Sequence, residues 1–261
     1  MLLAVDIGNT NIHLGMYQDG AWAHTWRART VAEKMPDEYA VLMHGFFSAA
    51  GLSFGDVDAM IISSVVPRLT GTFVELGERY AGRAPLVVRA PGLDVGVRLD
   101  VDNPAEVGAD RIVNAAAVRH LYGGPAIVID FGTATTFDIV TADGAYAGGA
   151  IAPGIGISQD ALVSRAARLY KVELVPPPSP IGRNTVHAMQ SGLFLGYVAM
   201  VEGMVVRLRA AMDAPAAQVI ATGGLATRFA EHTRVIQRIE PLLTLDGLRV
   251  IYDLNARGRA G

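Results

Sequence analysis

One pattern occurs twice along the chain and limits the folds that the chain can adopt. Segments 3–20 and 128–144 each contain an apolar strand, an Asp-x-Gly turn, a second apolar or alternating strand and an Asp-Gly hairpin turn. Such a pattern can recur by chance, but each copy opens one half of the chain, which favours duplication of one structural unit. The sequence therefore predicts two related halves built from strands and helices.

The length of the chain agrees with two halves. Its 261 residues exceed the roughly 100–200 residues of a usual domain, and Gly123-Gly124-Pro125 interrupts the regular patterns near the middle. We therefore predict an N-terminal domain over 1–122 and a C-terminal domain over 123–261. Hydrophobic residues make up 51% of the chain and charged residues 18%, a balance that supports packed cores and excludes global disorder.

The spacing of apolar residues predicts further elements outside the two copies. Strands are predicted over 57–66, 86–89 and 218–221, and helices over 69–83, 107–121, 158–169 and 185–212. The last helix is apolar on nearly every side, as expected either of a helix buried in its own domain or of one that packs in a homodimer. Mixed strands and helices in two similar halves predict the α/β class.

Composition excludes several classes of function. The net charge of −3 gives no electrostatic reason to expect nucleic acid or an anionic membrane as a partner. The chain has no cysteine, which excludes disulfides, thiolate nucleophiles and cysteine-ligated zinc. Its two lysines, Lys34 and Lys171, follow Glu33 and Tyr170, so a Gly-Lys phosphate loop is excluded as well.

Targeting signals are not expected. Asp6 interrupts the apolar run 1–5, and no basic residue precedes that run, which is unlike a secretory signal. The uncharged stretch between Asp143 and Asp160 is too short and too rich in glycine and proline to span a bilayer. We therefore expect a cytoplasmic protein.

Two turns carry the residues suited to phosphate chemistry. Residues 6–11, Asp-Ile-Gly-Asn-Thr-Asn, combine a tight turn with a carboxylate, side-chain amides and a hydroxyl, and residues 130–136, Asp-Phe-Gly-Thr-Ala-Thr-Thr, repeat the arrangement with three hydroxyls. Backbone N–H groups in such turns bind phosphate, and a carboxylate at a strand end can hold hydrated Mg²⁺. One Asp-x-Gly turn alone indicates an ordinary hairpin, whereas two at equivalent places predict a phosphotransferase site.

A third motif, Thr222-Gly223-Gly224, follows the predicted strand 218–221. Glycine at this point lets a flat base or a ribose approach the backbone closely. A plain turn between a strand and a helix would have the same sequence, so the motif gains meaning only together with the two Asp-x-Gly turns.

The three motifs, in this order and rough spacing, resemble those of the acetate and sugar kinase/Hsp70/actin superfamily. Further segments are similar to the type III pantothenate kinases, and these are Ser63-Ser64-Val65-Val66-Pro67, Asn103-Pro104, Val107-Gly108-Ala109-Asp110-Arg111 and Gly148-Gly149-Ala150-Ile151-Ala152-Pro153-Gly154. The resemblance extends from position 2 to about 250. It implies two duplicated ribonuclease H-like, or actin-like ATPase, domains with an active-site cleft between them.

The resemblance also implies an activity, namely transfer of the γ-phosphoryl group of ATP to the primary hydroxyl of pantothenate. The product is 4'-phosphopantothenate, and the reaction is the first step of coenzyme A biosynthesis. Mg²⁺, a monovalent cation (K⁺ or NH₄⁺) and a homodimer are implied as well.

Roles for single residues follow from the same resemblance. Asp110 is expected to be the general base, although Asp-Arg at the start of a helix can also be a cap with a local ion pair. The residues expected to bind ATP are Asp6, Ile7, Gly8, Asn9, Thr10, Asn11, Ile12, His13, Gly132, Thr133, Thr135, Gly223 and Gly224. Those expected to bind pantothenate are Gly108, Ala109, Asp110, Arg111 and Thr185.

The remaining expectations concern the cations and three individual side chains. Asp6 is expected on the Mg²⁺ side of the phosphates and Asp130 at the monovalent cation. Thr185 can also be a helix N-cap. His13, a lone histidine on a strand, is expected to be a surface or packing residue rather than an acid or base. Val101 occupies the place where the family often has an aromatic residue against pantothenate, so that wall of the pocket is expected to differ.

Two other functions fit parts of the pattern. A kinase of the same superfamily with another small substrate would keep both phosphate turns but lack Gly-Ala-Asp-Arg. A nucleotide-binding regulatory protein of the same fold, such as a transcription accessory factor, would be indicated by loss of Asp6, Asp110 or Asp130. All three aspartates are present in the chain.

Overall fold

The computed structural model describes residues 1–90 and 92–257 and divides the chain into two compact units. The first comprises Met1–Tyr122 and the C-terminal segment that begins at Leu242, and the second comprises Gly123–Pro241. Each unit contains one five-stranded sheet with helices packed on it. The predicted α/β class is therefore confirmed.

The elements of the first unit are β1 Leu2–Ile7, β2 Asn11–Gln18, β3 Ala21–Arg29, α1 Pro36–Ala49, β4 Ala59–Ser64, α2 Pro67–Leu76, β5 Leu86–Val87, α3 Ala109–Leu121 and, from the end of the chain, α8 Leu243–Arg257. The elements of the second unit are β6 Ala126–Phe131, β7 Ala134–Val140, β8 Tyr146–Pro153, α4 Ile155–Arg165, α5 Thr185–Gln190, α6 Gly196–Ala211, β9 Gln218–Thr222, α7 Ala226–Ala230 and β10 Arg238–Ile239.

The two sheets have the same plan. Their strand orders are β3-β2-β1-β4-β5 and β10-β9-β6-β7-β8, with an antiparallel meander of three strands followed by two parallel strands in each. Asp6 and Asp130 hold the same place in this plan, since each lies near the end of a central strand. The duplication predicted from the two Asp-x-Gly segments is therefore present in the topology.

Side chains alternate between the two faces of the central strand β1, and one of these faces packs in the core. Leu3, Val5 and Ile7 of β1 are fully buried in one apolar cluster, which α1 and α2 complete with Tyr39 and Phe73. Successive strand residues point to opposite faces, so Asp6 points to the other face of the sheet. The apolar residues thus fix the direction in which the carboxylate points.

Helix α8 corrects the predicted C-terminal domain of 123–261, because it belongs to the first unit. Leu245 and Leu248 are fully buried, and Gly247 allows α8 to approach α3 so closely that a Cβ at 247 would lie 2.1 Å from the carbonyl oxygen of Val113. Trp22 Nε1 also donates a hydrogen bond to Asp246 Oδ1 (2.8 Å).

The long apolar helix predicted over 185–212 runs from Thr185 to Ala211, with a π-helical turn at Ser191–Leu195 between α5 and α6. It is long and apolar enough to cross a membrane by length and composition, and 28% of its most apolar stretch is buried. Buried helices of other proteins pass the same test, so the helix alone assigns no membrane role. Phe194 and Val201 pack in the core of the second unit.

One other predicted helix begins and ends at different residues in the structure. The helix predicted over 158–169 begins at Ile155, directly after Gly154, and ends at Arg165. The residues that follow, including the three prolines of 176–178, form no helix or strand. Two buried amides hold this segment, since Gln159 Nε2 donates to the carbonyl of Val172 (2.8 Å) and Gln190 Nε2 donates to that of Glu173 (3.1 Å).

Candidate functional site

The first Asp-x-Gly turn connects β1 to β2. The N–H of Gly8 donates to the carbonyl of Asn11 (3.0 Å), and the Thr30 hydroxyl donates to the carbonyl of Gly8 (2.7 Å). The turn exposes the side chains of Asn9, Thr10 and Asn11. It therefore presents amide and hydroxyl groups of the kind that bind phosphate oxygens.

Three residues expected to bind ATP, namely Ile7, Ile12 and His13, lie in the strands that flank this turn. The side chains of Ile7 and Ile12 are fully buried in the core, so only their backbone groups could reach a nucleotide. His13 is partly buried opposite Asp6, and burial, assisted by the charge of Arg27, lowers the pKa of His13 to about 4. The imidazole is therefore neutral near pH 7, as expected of a packing residue.

The second Asp-x-Gly turn connects β6 to β7. The N–H of Gly132 donates to the carbonyl of Ala134 (3.1 Å), and the N–H of Gly154 donates to that of Thr133 (3.1 Å). A Cβ at position 154 would lie 2.3 Å from the Thr133 oxygen. Because α4 begins directly after Gly154, the positive end of its dipole lies against this turn, where it favours an anion.

Thr135 does not occupy the position predicted for it. Its side chain is fully buried and shares a hydrogen bond with the hydroxyl of Tyr197. Alternation along β7 explains this placement, since Phe137 and Ile139 point into the same core. The structure therefore gives Thr135 a core contact, whereas the neighbouring Thr133 is exposed on the turn.

The two glycines of the third motif differ. Gly223 has a φ of +91°, and a Cβ there would lie 2.4 Å from Asp130 Oδ1. A Cβ at Gly224 would meet no atom within 4 Å, and Gly224 is exposed. A side chain at 223 is therefore disfavoured by the positive φ and by close contacts with the Phe131 backbone and the Asp130 carboxylate, and Gly224 offers open backbone to a ligand.

Asp110 is the second residue of α3, which follows Gly108 at the N-cap position. Its Oδ1 accepts a hydrogen bond from the N–H of Arg111 (2.8 Å). Burial raises the pKa of Asp110, and the Arg111 N–H and guanidinium oppose that rise. A carboxylate with a raised pKa is a stronger base than an ordinary aspartate, which suits it to accept a hydroxyl proton.

A cavity of about 340 Å³ lies at the start of α3 in the first unit, and its lining includes neither Asp110 nor Arg111. Its lining includes Gly108 and Ala109, two of the residues expected to bind pantothenate, together with Ser64, Val65 and Arg89. A volume of this size accommodates a small organic molecule. The sequence does not point to Arg89, because only the position of β5, which ends two residues before it, brings it to this cavity. Val101 is not part of the lining.

Thr185 belongs to the second unit, whereas the other residues predicted to bind pantothenate belong to the first. The N-cap interpretation of Thr185 is wrong, because Asn184 is the cap and its Oδ1 accepts the N–H of His187 (2.8 Å). Thr185 is exposed at the start of α5 and lines a depression together with Leu162 and Met189.

The carboxylate, hydroxyl and amide groups of the two turns suit cations that are bound mainly by phosphate and water. The described residues contain no group of three or more His, Asp or Glu side chains able to enclose a metal ion. Asp6 and Asp130 are single carboxylates beside hydroxyl and amide groups, and Mg²⁺ commonly binds through one or two carboxylates and the phosphates of a substrate. The residues therefore fit Mg²⁺ bound to a nucleotide.

The duplicated sheets and the Asp-x-Gly turn in each unit define a protein of the sugar kinase and actin-like ATPase fold class. A family model described as type III pantothenate kinase matches residues 2–207. The chain belongs to the type III pantothenate kinase family.

Individual relatives agree with this assignment. The type III pantothenate kinase of Roseiflexus sp. (strain RS-1) is 54% identical over 255 residues, covering 98% of this chain and 99% of the relative. Two solved structures share the fold at low identity. One is described as a Baf family transcriptional activator from Campylobacter jejuni, with a TM-score of 0.63 and 18% identity over 98% of this chain and 99% of that chain. The other is described as a 2-dehydro-3-deoxygalactonokinase protein from Sinorhizobium meliloti, with a TM-score of 0.51 and 14% identity over 99% of each chain.

Proposed function

We propose that this protein transfers the γ-phosphoryl group of ATP to the primary hydroxyl of pantothenate, which gives 4'-phosphopantothenate for coenzyme A biosynthesis. Membership of the type III pantothenate kinase family supports the reaction. The structural observation that carries the proposal is Asp110, a carboxylate whose pKa burial raises, which directly follows Gly108 and Ala109 in the chain; these two residues line a small cavity together with Arg89.

Asp110 accepts the proton of the pantothenate hydroxyl as that oxygen attacks the γ-phosphorus. Arg89 and Arg111 are suited to the carboxylate and amide carbonyl groups of pantothenate, because a guanidinium presents several N–H donors in one plane. Thr185 is proposed as a further pantothenate contact. These groups orient the hydroxyl, which accounts for much of the catalysis in phosphoryl transfer.

Each Asp-x-Gly turn supplies groups that suit the phosphate oxygens of ATP. In the first unit these groups belong to Gly8, Asn9, Thr10 and Asn11. In the second unit they belong to the exposed Gly132 and Thr133, and Gly224 is proposed near the adenosine. Asp6 would hold Mg²⁺ through its water shell, and Asp130 would hold K⁺ or NH₄⁺. When bound, these cations neutralise negative charge on the phosphates.

A cytoplasmic homodimer is also proposed. One side of the long helix leaves the small residues Gly192, Gly196 and Ala199 exposed, and their spacing places them on one face. Such a face allows a second helix to approach closely, so the dimer interface is proposed here. The regulatory alternative is not favoured, since Asp6 and Asp110 are both retained and the Baf-family structure is similar in fold alone.

The direct test is a coupled assay of ADP release with purified protein, ATP and Mg²⁺, with and without pantothenate. We expect release that depends on pantothenate and falls when K⁺ is replaced by Na⁺. Phosphorylated pantothenate should be identified by mass spectrometry as the product. Absence of pantothenate-dependent ADP release in K⁺, NH₄⁺ and Na⁺ alike would refute the proposed reaction.

A further inference from the structure

Ser63 is a buried hydroxyl that the roles described so far leave unexplained. It lies one residue before the end of β4, and its side chain is fully buried. Among the described residues, its Oγ is the one buried side-chain polar atom without a hydrogen-bond partner. Proteins rarely retain such an atom, because burying a polar group without a partner lowers stability.

The register of the sheet places Ser63 beside Asp6. The two residues are directly paired in the parallel β1–β4 ladder. Val5 and Ile62 pack in the core on one face, so alternation directs the Asp6 and Ser63 side chains to the opposite face. Neighbouring strands lie roughly 4.8 Å apart, a spacing that rotation of a serine hydroxyl can bridge to reach a carboxylate oxygen.

The second unit repeats this pair. Thr222 is paired with Asp130 in the parallel β6–β9 ladder and is also buried. A hydroxyl side chain therefore lies beside the aspartate of each copy. The adjacent Ser64 is different, since its hydroxyl donates to the carbonyl of Val66 (3.1 Å) and accepts the N–H of the same residue (3.2 Å), which fixes the local turn.

We propose that Ser63 is a positioning residue for phosphoryl transfer. When Mg²⁺ and ATP bind, its hydroxyl donates a hydrogen bond to the Asp6 carboxylate and fixes the orientation in which Asp6 faces the hydrated cation. Ser63 itself contacts neither substrate. This inference rests on the proposed function, in which Asp6 lies on the Mg²⁺ side of the phosphates.

The test compares stability with metal-dependent nucleotide binding in Ser63→Ala. We expect a thermal midpoint equal to or higher than that of the wild type, because the variant lacks the unpartnered hydroxyl. We also expect the affinity for a non-hydrolysable ATP analogue to fall roughly tenfold in Mg²⁺, the size of one hydrogen bond to a charged group. Without Mg²⁺ the variant and the wild type should bind alike, and Ser63→Thr should restore binding.

Thr244→Val is the matched control. The Thr244 hydroxyl donates to Asn114 Oδ1 (2.9 Å) in the same unit, so its removal should lower the thermal midpoint and leave Mg²⁺-dependent binding unchanged. The inference is overturned if Ser63→Ala behaves like Thr244→Val, or if it loses affinity equally with and without Mg²⁺. Binding is measured without pantothenate, so a failure of the proposed phosphorylation is detected separately by the assay of ADP release.

Discussion

The carboxylate of Asp110 lies against the backbone of Gly108, so that a Cβ at position 108 would be 2.6 Å from Asp110 Oδ1. Real side chains do not approach so closely, and the carboxylate would have to rotate to make room. The absence of a side chain at Gly108 thus leaves room for the carboxylate of Asp110, the proposed base.

Replacement of Gly108 by alanine should therefore displace the Asp110 carboxylate. We expect kcat to fall by up to about 100-fold, the cost of a misplacement of roughly 1 Å, with the protein still folded. Gly71→Ala in α2 is the control, because a Cβ there meets no atom within 4 Å. That variant should retain kcat and gain up to about 1 kcal/mol of stability. Unchanged kcat in Gly108→Ala would contradict the expected displacement.

Asp110→Asn should retain ATP binding and lose turnover. An amide cannot accept the hydroxyl proton, so pantothenate phosphorylation should fall by roughly 10²-fold or more. Calorimetric titration with ATP and the assay of ADP release measure the two properties separately. Near-normal turnover would remove Asp110 from the role of base.

The same variant should change how stability depends on pH. Burial raises the pKa of Asp110, so the folded state binds this proton more tightly than the unfolded state does. The ionised carboxylate therefore destabilises the wild type at pH 7, and this destabilisation disappears as the pH falls through the folded pKa to below the unfolded value of about 3.9.

Asp110→Asn should accordingly unfold at a higher temperature than the wild type at pH 7, with the difference vanishing near pH 3.5. Thermal melts of both proteins from pH 3.5 to 8 provide the comparison. A difference that grows as the pH falls would contradict the direction of the pKa shift.

Gly223→Ala should destabilise the second unit. An alanine would have to adopt a φ of +91° and displace the Asp130 carboxylate, for an expected loss of about 1–3 kcal/mol. Gly224→Ala meets no atom within 4 Å and should change stability by less than about 0.5 kcal/mol. Urea denaturation of the pair measures both values, and equal losses would show that neither the positive φ nor the close contacts require glycine at 223.

Thr135→Val should affect stability rather than nucleotide binding. The variant loses the hydrogen bond to the Tyr197 hydroxyl, which typically contributes about 1 kcal/mol, whereas the KM for ATP should not change. The double variant with Tyr197→Phe should lose less than the sum of the two single variants, because they remove the same bond. A raised KM for ATP with unchanged stability would show that Thr135 binds the phosphates of ATP.

The features that the sequence predicts are those with a local signal. Each Asp-x-Gly turn is defined by a few adjacent residues, and both turns lie where the sequence predicts them. Thr135 could have been placed correctly from the alternation with Phe137 and Ile139 on the same strand. Ser63 and Arg89 could not have been found in this way, because their positions depend on which distant strands become neighbours.

The return of α8 to the first unit determines the order in which the two units can be completed during synthesis. Residues 123–241 form one uninterrupted segment and emerge from the ribosome before the helix that begins at Leu243. The second unit can therefore fold while the first still lacks one of the helices that pack on its sheet. The half of the protein that carries Asp110 is the last to be finished.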